Sequence, residues 1–357
     1  MGKTFLSRSL PGVEIFDCEL PRIRKQLEDP EAFWEYHSGK RIVLDEIHRL
    51  PDAAQILKIA ADHYPGTKIL ATGSSTLGAS ARFKDTLTGR KVDVWLTPMI
   101  SQDLKDFGNL DMKHRLLHGG LPPFFLEAKI PEKEFQEWMD AYWAKDIQEL
   151  FRLERKYSFQ KLTELLLAQS GAIFDASRFS AVCEVSRGTI QHYLSVLEAT
   201  FVVHVVRPFH THKPAEIVHA PKVYGFDTGF VCYYRGWYSL RNDDLGPLWE
   251  HFVLNEIQAR LQTRRVHYWR DKKGHEVDFV LSPRGEKPIL VEAKWSDSDF
   301  DSTSLQTFRQ LYPGTKNLVV CSNITESYLR KFATVKVQFV NLTQLLKLLS
   351  PYQAKLG

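Results

Sequence analysis

No apolar run in this 357-residue chain is long enough to cross a bilayer, and its opening lacks the charged-then-apolar pattern of a leader. Cysteine is scarce: Cys18, Cys183, Cys232 and Cys321 stand far apart with no CxxC spacing. That excludes a zinc ribbon or a disulfide frame and fits buried thiols in a reducing cytoplasm. Charge of one sign is also scarce, since 47 Lys and Arg against 43 Asp and Glu leave a formal net of +4. So small a total permits nucleic-acid contact without arguing for it, because local patches matter more. There are no internal repeats and no low-complexity segment. What remains is an ordinary soluble composition, 43% hydrophobic and 25% charged, at a length that suggests two or three domains.

The first hundred residues alternate short apolar runs with helical stretches. VEIFD (13–17), RIVLDE (41–46), TKILATGS (67–74) and VDVWL (92–96) read as buried strands, and Ala53–His63 as a helix with Ile56, Leu57, Ile59 and Ala60 on one face. Strands alternating with helices predict a parallel sheet of the doubly wound kind, whose ligands bind at the carboxyl ends of the strands. Asp45, Glu46 and Ser74 fall there. EFQEWMDAYWAKDIQELFRLERKY (134–157) predicts a packed linker helix. From Phe159 to about Phe209, three helices and a strand hairpin predict a winged helix. Its third helix starts at Ser186, buries Ile190, Leu194 and Leu197, and turns Arg187, Thr189, Gln191 and His192 outward; such a helix can enter a DNA groove or serve only for packing. HTHKPAEIVHAPKVYGFDTG (210–229) marks the crossing into a last domain of helix Leu248–Leu261, strands RVHYWR, EVDFVL and PILVEAKW, helix Ser304–Leu311, strand NLVVCS and a final strand and helix.

Gly2-Lys3-Thr4 is how a phosphate-binding loop ends: a Gly lets the backbone approach, the Lys reaches the β- and γ-phosphates, and the Thr ligates Mg²⁺. The opening Gly, the spacer and the feeding strand of such a loop belong ahead of Gly2. We expect them upstream, with Met1 either a valine codon read as a start or the edge of a truncation. Alone the tripeptide says little. RIVLDE adds an acidic strand end, where Asp45 can hold Mg²⁺ and Glu46 can orient and deprotonate a water. KILATGSS adds a polar strand end, where Thr72 or Ser74 can sense a γ-phosphate.

MGKTFLSR, RIVLDEIHRLPDAAQILK, ILATGSS, LTGR, LLHGGLPPFF and AKDI follow in an order that resembles a group of prokaryotic AAA-type ATPases. These carry a winged helix and a C-terminal restriction-endonuclease-like domain of unknown function. SRGTIQHYLSVLEATFVV, APKVYGFDTG and EVDFVL…ILVEAK extend the resemblance over essentially the whole chain. It implies ATP held by Gly2, Lys3 and Thr4, Mg²⁺ at Thr4 and Asp45, catalysis by Glu46, γ-phosphate sensing at Ser74, and Arg90 of LTGR as a charge stabiliser. AAA-type sites often borrow an arginine from a neighbouring subunit, so a homo-oligomer is also implied.

GHEVDFVLSPRGEKPILVEAKWS places Asp278 on one strand and Glu292 and Lys294 on the next, across a Gly/Pro turn. Residues two apart on a strand share a face, so Glu292 and Lys294 do, and hairpin pairing would put Asp278 beside Glu292. Two carboxylates and an ammonium can bind Mg²⁺ and position a water at a scissile phosphate. They can equally form a cross-strand salt bridge on an exposed sheet face. The arrangement resembles PD-(D/E)XK nucleases of the resolvase kind, which implies catalysis by Asp278, Glu292 and Lys294. A helix glutamate joins the metal set there, Glu250 matching better than Glu276. Basic clusters at 22–25, 152–156 and 264–273 can line a phosphate track, the last being favoured because it holds Tyr268 and Trp269.

The expected architecture is therefore α/β throughout. A parallel-sheet P-loop ATPase domain (1–105) is followed by a helical linker or lid (106–157), a winged helix (158–212) and a PD-(D/E)XK nuclease-like α/β domain (213–357). The expected function is a cytoplasmic AAA-type ATPase using ATP and Mg²⁺, coupled to a DNA-associated C-terminal half. The alternatives are a Mg²⁺-dependent DNA endonuclease, or a non-enzymatic DNA-binding or scaffold protein.

Overall fold

The computed structural model describes residues 2–73, 87–143, 147, 155–210 and 220–356. The chain divides into two compact units, one built mainly from residues 1–96 and the other from 97–139, 154–198 and 202–357. Among the described residues no helix is long and apolar enough to cross a membrane.

The first unit holds a parallel sheet in the order β1 (Glu14–Asp17), β2 (Arg41–Asp45), β3 (Lys68–Ala71). The central β2 buries Ile42, Val43, Leu44 and Asp45, as expected of a strand covered on both faces. Its cover includes the helix Ala53–His63, through Ala53, Ala54, Ile56 and Ala60, and the helix Pro30–Tyr36, whose fully buried Trp34 donates its Nε1–H to the Ile56 carbonyl at 3.0 Å. Asp29 caps the latter helix by accepting from the Ala32 N–H, and Pro30 occupies its first turn. One expected strand is absent: Val92–Leu96 joins no sheet, with Val92 89% and Val94 76% exposed. β-branched residues favour a strand only where a pleated, half-buried surface receives them, and these bury almost nothing.

The second unit is organised on a nine-stranded mixed sheet, ordered β11-β12-β10-β9-β8-β7-β5-β6-β4. Its middle is antiparallel, β7 (Val266–Arg270) with β8 (Glu276–Leu281) and β8 with β9 (Ile289–Lys294). β10 (Lys316–Cys321) joins β9 and β12 (Val335–Val340) in parallel, and β11 (Tyr328–Phe332) closes the edge antiparallel to β12. The helix Asn242–Leu261 packs Leu248, Trp249, Phe252, Val253 and Ile257 into one core, where the Trp249 Nε1–H bonds the Val320 carbonyl at 3.1 Å. Leu305 and Phe308 of the helix Thr303–Leu311 fill a second core with Val280, Leu290 and Val319. The long helix starts earlier than Leu248, running through Pro247 from a first turn where Asp244 accepts from the Arg241 N–H at 2.9 Å and from its guanidinium.

Ahead of β7 the order is helix Lys156–Ala168, β4 (Ala172–Ile173), helices Ala176–Cys183 and Arg187–Ala199, then the antiparallel pair β5 (Val203–Pro208) and β6 (Lys222–Gly225). β4 pairs with β6, and the end of β5 runs parallel to β7, so this segment is continuous with the large sheet. Arg187–Ala199 buries Ile190, Tyr193, Val196 and Leu197, with Leu194 half-buried, while Arg187, Gln191 and His192 are exposed.

The glycines of LLHGGLPPFF and GFDTG have a packing cause. Arg115 and Asp227 are both fully buried, with Nη2 3.7 Å from Oδ2. Arg115 also donates to the Met99 carbonyl and the Thr228 hydroxyl, at 2.9 and 3.0 Å, while Asp227 accepts from the Gly120 and Gly229 N–H groups, at 2.6 and 2.9 Å. A Cβ at Gly120 would lie 2.3 Å from the Arg115 guanidinium, and one at Gly229 2.5 Å from the His118 carbonyl oxygen. Only glycine lets these two loops close on the ion pair.

Candidate functional site

Each unit carries one concentration of chemically capable side chains. In the first, Gly2 sits at φ 58°, a left-handed conformation that glycine adopts cheaply, and starts the helix Lys3–Arg8. The Lys3 ammonium donates to the Gly73 carbonyl at 2.5 Å, just past the end of β3. Asp45, at the end of β2, accepts from the Thr72 hydroxyl, and the Thr72 hydroxyl oxygen accepts from the Glu46 N–H at 3.2 Å. Glu46 itself is held at φ 53°, an uncommon position for a side-chain-bearing residue and the sort of strain that gathers at working sites.

Glu46 Oε2 lies 3.0 Å from His48 Nδ1. That hydrogen bond, with the Lys3, His48 and Arg49 charges, outweighs burial and holds the Glu46 carboxyl below its usual range. Lys3, Asp45, Glu46 and Thr72 are thus brought together at the carboxyl edge of a parallel sheet, and Thr4 is half-buried beside Lys3 at the start of the same helix. The donor set is one ammonium with hydroxyl and carboxylate oxygens, hard ligands that fit a phosphate chain and Mg²⁺. Ser74 lies outside the described residues. Arg90 is not in this group: its guanidinium forks onto Asp62 at 2.6 and 3.3 Å, in the last turn of the helix that returns from the carboxyl to the amino edge of the sheet. His48 could not be anticipated, because it acts only through the sharp turn after Asp45.

In the second unit the hairpin register, Phe279 opposite Val291, sets Asp278 opposite Glu292. Asp278 Oδ2 accepts from the Ala293 N–H at 2.9 Å and from Lys294 Nζ at 3.2 Å, and Lys294 Nζ also meets Glu292 Oε2 at 2.8 Å. Glu250 enters from the long helix. Lys222 of β6 lies against it at 3.0 Å and also contacts Glu276, while Tyr224 donates its hydroxyl to Glu250. Arg270 takes the other oxygen of Glu276 at 3.1 Å.

Burial raises the carboxyls of Glu292 and Glu250, and the charge of Asp278 adds to both, Glu292 being moved furthest. Burial acts on Asp278 too, but the Lys294 and Lys222 ammonium groups and the Ala293 N–H outweigh it and leave Asp278 below its usual range. Of the cross-strand pair, Asp278 thus ionises the more readily and Glu292 holds its proton the more tightly. The sequence reading missed Lys222 and Tyr224. Their only signal was a lysine opening an apolar strand in APKVYGFDTG.

A divalent ion at Glu250, Asp278 and Glu292 does not fit this geometry. One oxygen of each faces a lysine ammonium instead, and among the described residues no three His, Cys, Asp or Glu side chains stand where they could hold a metal.

Comparison with known proteins agrees with two different kinds of unit. The family described as AAA domain matches residues 1–104. Two domains of unknown function follow, DUF8612 over 109–241 and DUF4143 over 245–344. Two uncharacterized proteins, from Mycobacterium bovis and Mycobacterium tuberculosis, are each 27% identical over 319 residues, which is 86% of this chain and 70% of theirs. The N-terminal unit is similar to AAA domains, and the three matches in this order support an AAA-type ATPase family.

Proposed function

We propose that the chain binds and hydrolyses ATP at its N-terminal site, and that this cycle changes how a DNA-associated C-terminal half engages nucleic acid. One observation carries the proposal: Lys3 of the Gly-Lys-Thr motif reaches the end of β3 beside the Asp45–Thr72 pair, so loop lysine, acidic strand end and polar strand end converge. Lys3 holds the β- and γ-phosphates, the Gly2 backbone allows their close approach, and Thr4 with Asp45 would hold Mg²⁺. That ion supplies neutralisation of the charge developing on the phosphate oxygens. Glu46, kept ionised and aimed by its turn, orients the attacking water and accepts its proton. Ser74 follows Gly73 directly and is assigned the γ-phosphate by its place in the chain.

For the C-terminal half, helix–strand–helix–helix–strand–strand is the order of a winged helix, and the exposed Arg187, Gln191 and His192 make Arg187–Ala199 its DNA-facing helix. The hairpin bearing Asp278, Glu292 and Lys294 supports a nuclease-like fold. Cleavage forms no part of the proposal.

The test is ATP turnover by Glu46→Gln. It is expected to fall by roughly a hundredfold or more, as for the loss of a water-positioning group, while binding of a fluorescent ATP analogue persists. Unchanged turnover overturns the assignment.

A further inference from the structure

The C-terminal cluster holds more cations than its expected chemistry calls for. Lys294 accounts for Asp278 and Glu292. Lys222 is extra, and it arrives from a different part of the chain. Its ammonium is enclosed by the carboxylates of Glu250 and Glu276 and by the rings of Tyr224 and Tyr268, whose centroids lie 5.9 and 5.8 Å away. Its side chain is only 6% exposed, against 21% and 23% for its two carboxylate partners. A cation between two aromatic faces and two carboxylates is well held. One oxygen of Glu250 serves both Lys222 and Tyr224, and both oxygens of Glu276 meet cations. A second observation is independent of Lys222. Glu292 Oε1 is buried without any hydrogen-bond partner, although the residue's other oxygen is paired. An orphaned carboxyl oxygen inside a carboxylate cluster marks a place where a ligand would complete the coordination.

We propose that Lys222 is a built-in cation standing where a divalent ion would otherwise sit between Glu250 and Asp278, so that the cluster binds no metal until Lys222 is removed. Electrostatics gives the reason. The ammonium supplies positive charge without the six or so oxygen ligands a divalent ion requires, and a metal entering the site would have to displace or repel it. The ligands themselves remain in place, including the unused Glu292 oxygen, so the site is masked and not dismantled. The inference concerns the second unit alone and stands or falls apart from the ATPase reading.

The experiment measures binding of Mn²⁺ alone, by loss of the free-ion electron paramagnetic resonance signal, to the full nucleotide-free chain. Wild type and Asp278→Asn are expected to bind Mn²⁺ alike. Lys222→Met is expected to gain about one equivalent, about tenfold tighter or better than any wild-type binding, and Lys222→Met/Asp278→Asn to lose it. Lys222→Gln, which keeps a polar contact to Glu250, gives the same comparison should the methionine variant fold poorly. Wild-type binding that Asp278→Asn abolishes overturns the proposal. So does a cooperatively melting Lys222→Met or Lys222→Gln variant that gains no equivalent.

Discussion

Both units set lysines among acidic side chains, yet these lysines differ in what they touch. Among the described residues, Lys3 donates to one backbone carbonyl, that of Gly73. Lys294 bridges two buried carboxyl groups, and Lys222 two half-buried ones. A backbone carbonyl is a neutral partner that a phosphate oxygen can outbid, because charge-assisted hydrogen bonds are roughly twice as strong. A buried carboxylate is already the best partner an ammonium can have. The first lysine is therefore poised for an anionic ligand, while the others are spent on the fold. Residue type alone does not separate a site from an internal ion pair; the partner of the charge does.

The contrast breaks most visibly at Lys294. Lys294→Met leaves Asp278 and Glu292 buried without their cation and is expected to destabilise the second unit by about 3 kcal/mol, read from denaturant unfolding. A variant as stable as wild type would mean that these carboxyls rely on other partners. Lys3→Met should do the reverse. It is expected to weaken binding of a fluorescent ATP analogue by about a hundredfold while leaving the melting midpoint nearly unchanged, since little but a carbonyl contact is lost. A large fall in midpoint would make Lys3 structural as well.

Acid should separate the units next. Burial, helped by His204 and the Arg115 and Arg235 charges, holds the His251 imidazole down to about 3. A group whose folded value is depressed contributes stability above its unfolded value, near 6.5, and loses it as pH falls toward about 3. This imidazole alone should cost the second unit roughly 1.4 kcal/mol per pH unit below about 6, and His251→Phe should lower the acid slope seen by calorimetry by about that much. An unchanged slope would move the effect to other groups. The smallest effect concerns Arg90, which pairs with Asp62 at the surface. Arg90→Ala and Asp62→Ala should alter ATP turnover slightly and alike. A loss confined to Arg90→Ala would place its guanidinium at the nucleotide of another copy.

Much of this was legible in the residues. β2 and β9 are apolar runs ending in an acidic or basic group, and β8 is a largely buried run around Asp278; such runs are read easily because central strands bury both faces. The Gly/Pro turn announced the β8–β9 hairpin, which brought Asp278 to Glu292. β11 went unread because Leu329, Arg330 and Lys331 are all exposed and show no alternation, as an edge strand can afford. Val92–Leu96 misled in the other direction, having strand-like residues and no surface to cover. Arg115 and Asp227, 112 positions apart, gave no local sign of pairing.

By itself the sequence determined the local order of strands and helices and the supply of chemically capable groups, because periodicity, turn residues and strand ends act over a few residues. Only the tertiary structure decided which of those groups stay available. Lys222 of β6 reaches Glu250 of the long helix and Glu276 of β8, although β5 and β7 separate β6 from β8 in the sheet, and Arg90 is drawn to Asp62 and away from the strand ends. The physical reason is that charge is settled by distance in space, over a few ångströms, and chain separation carries no information about it.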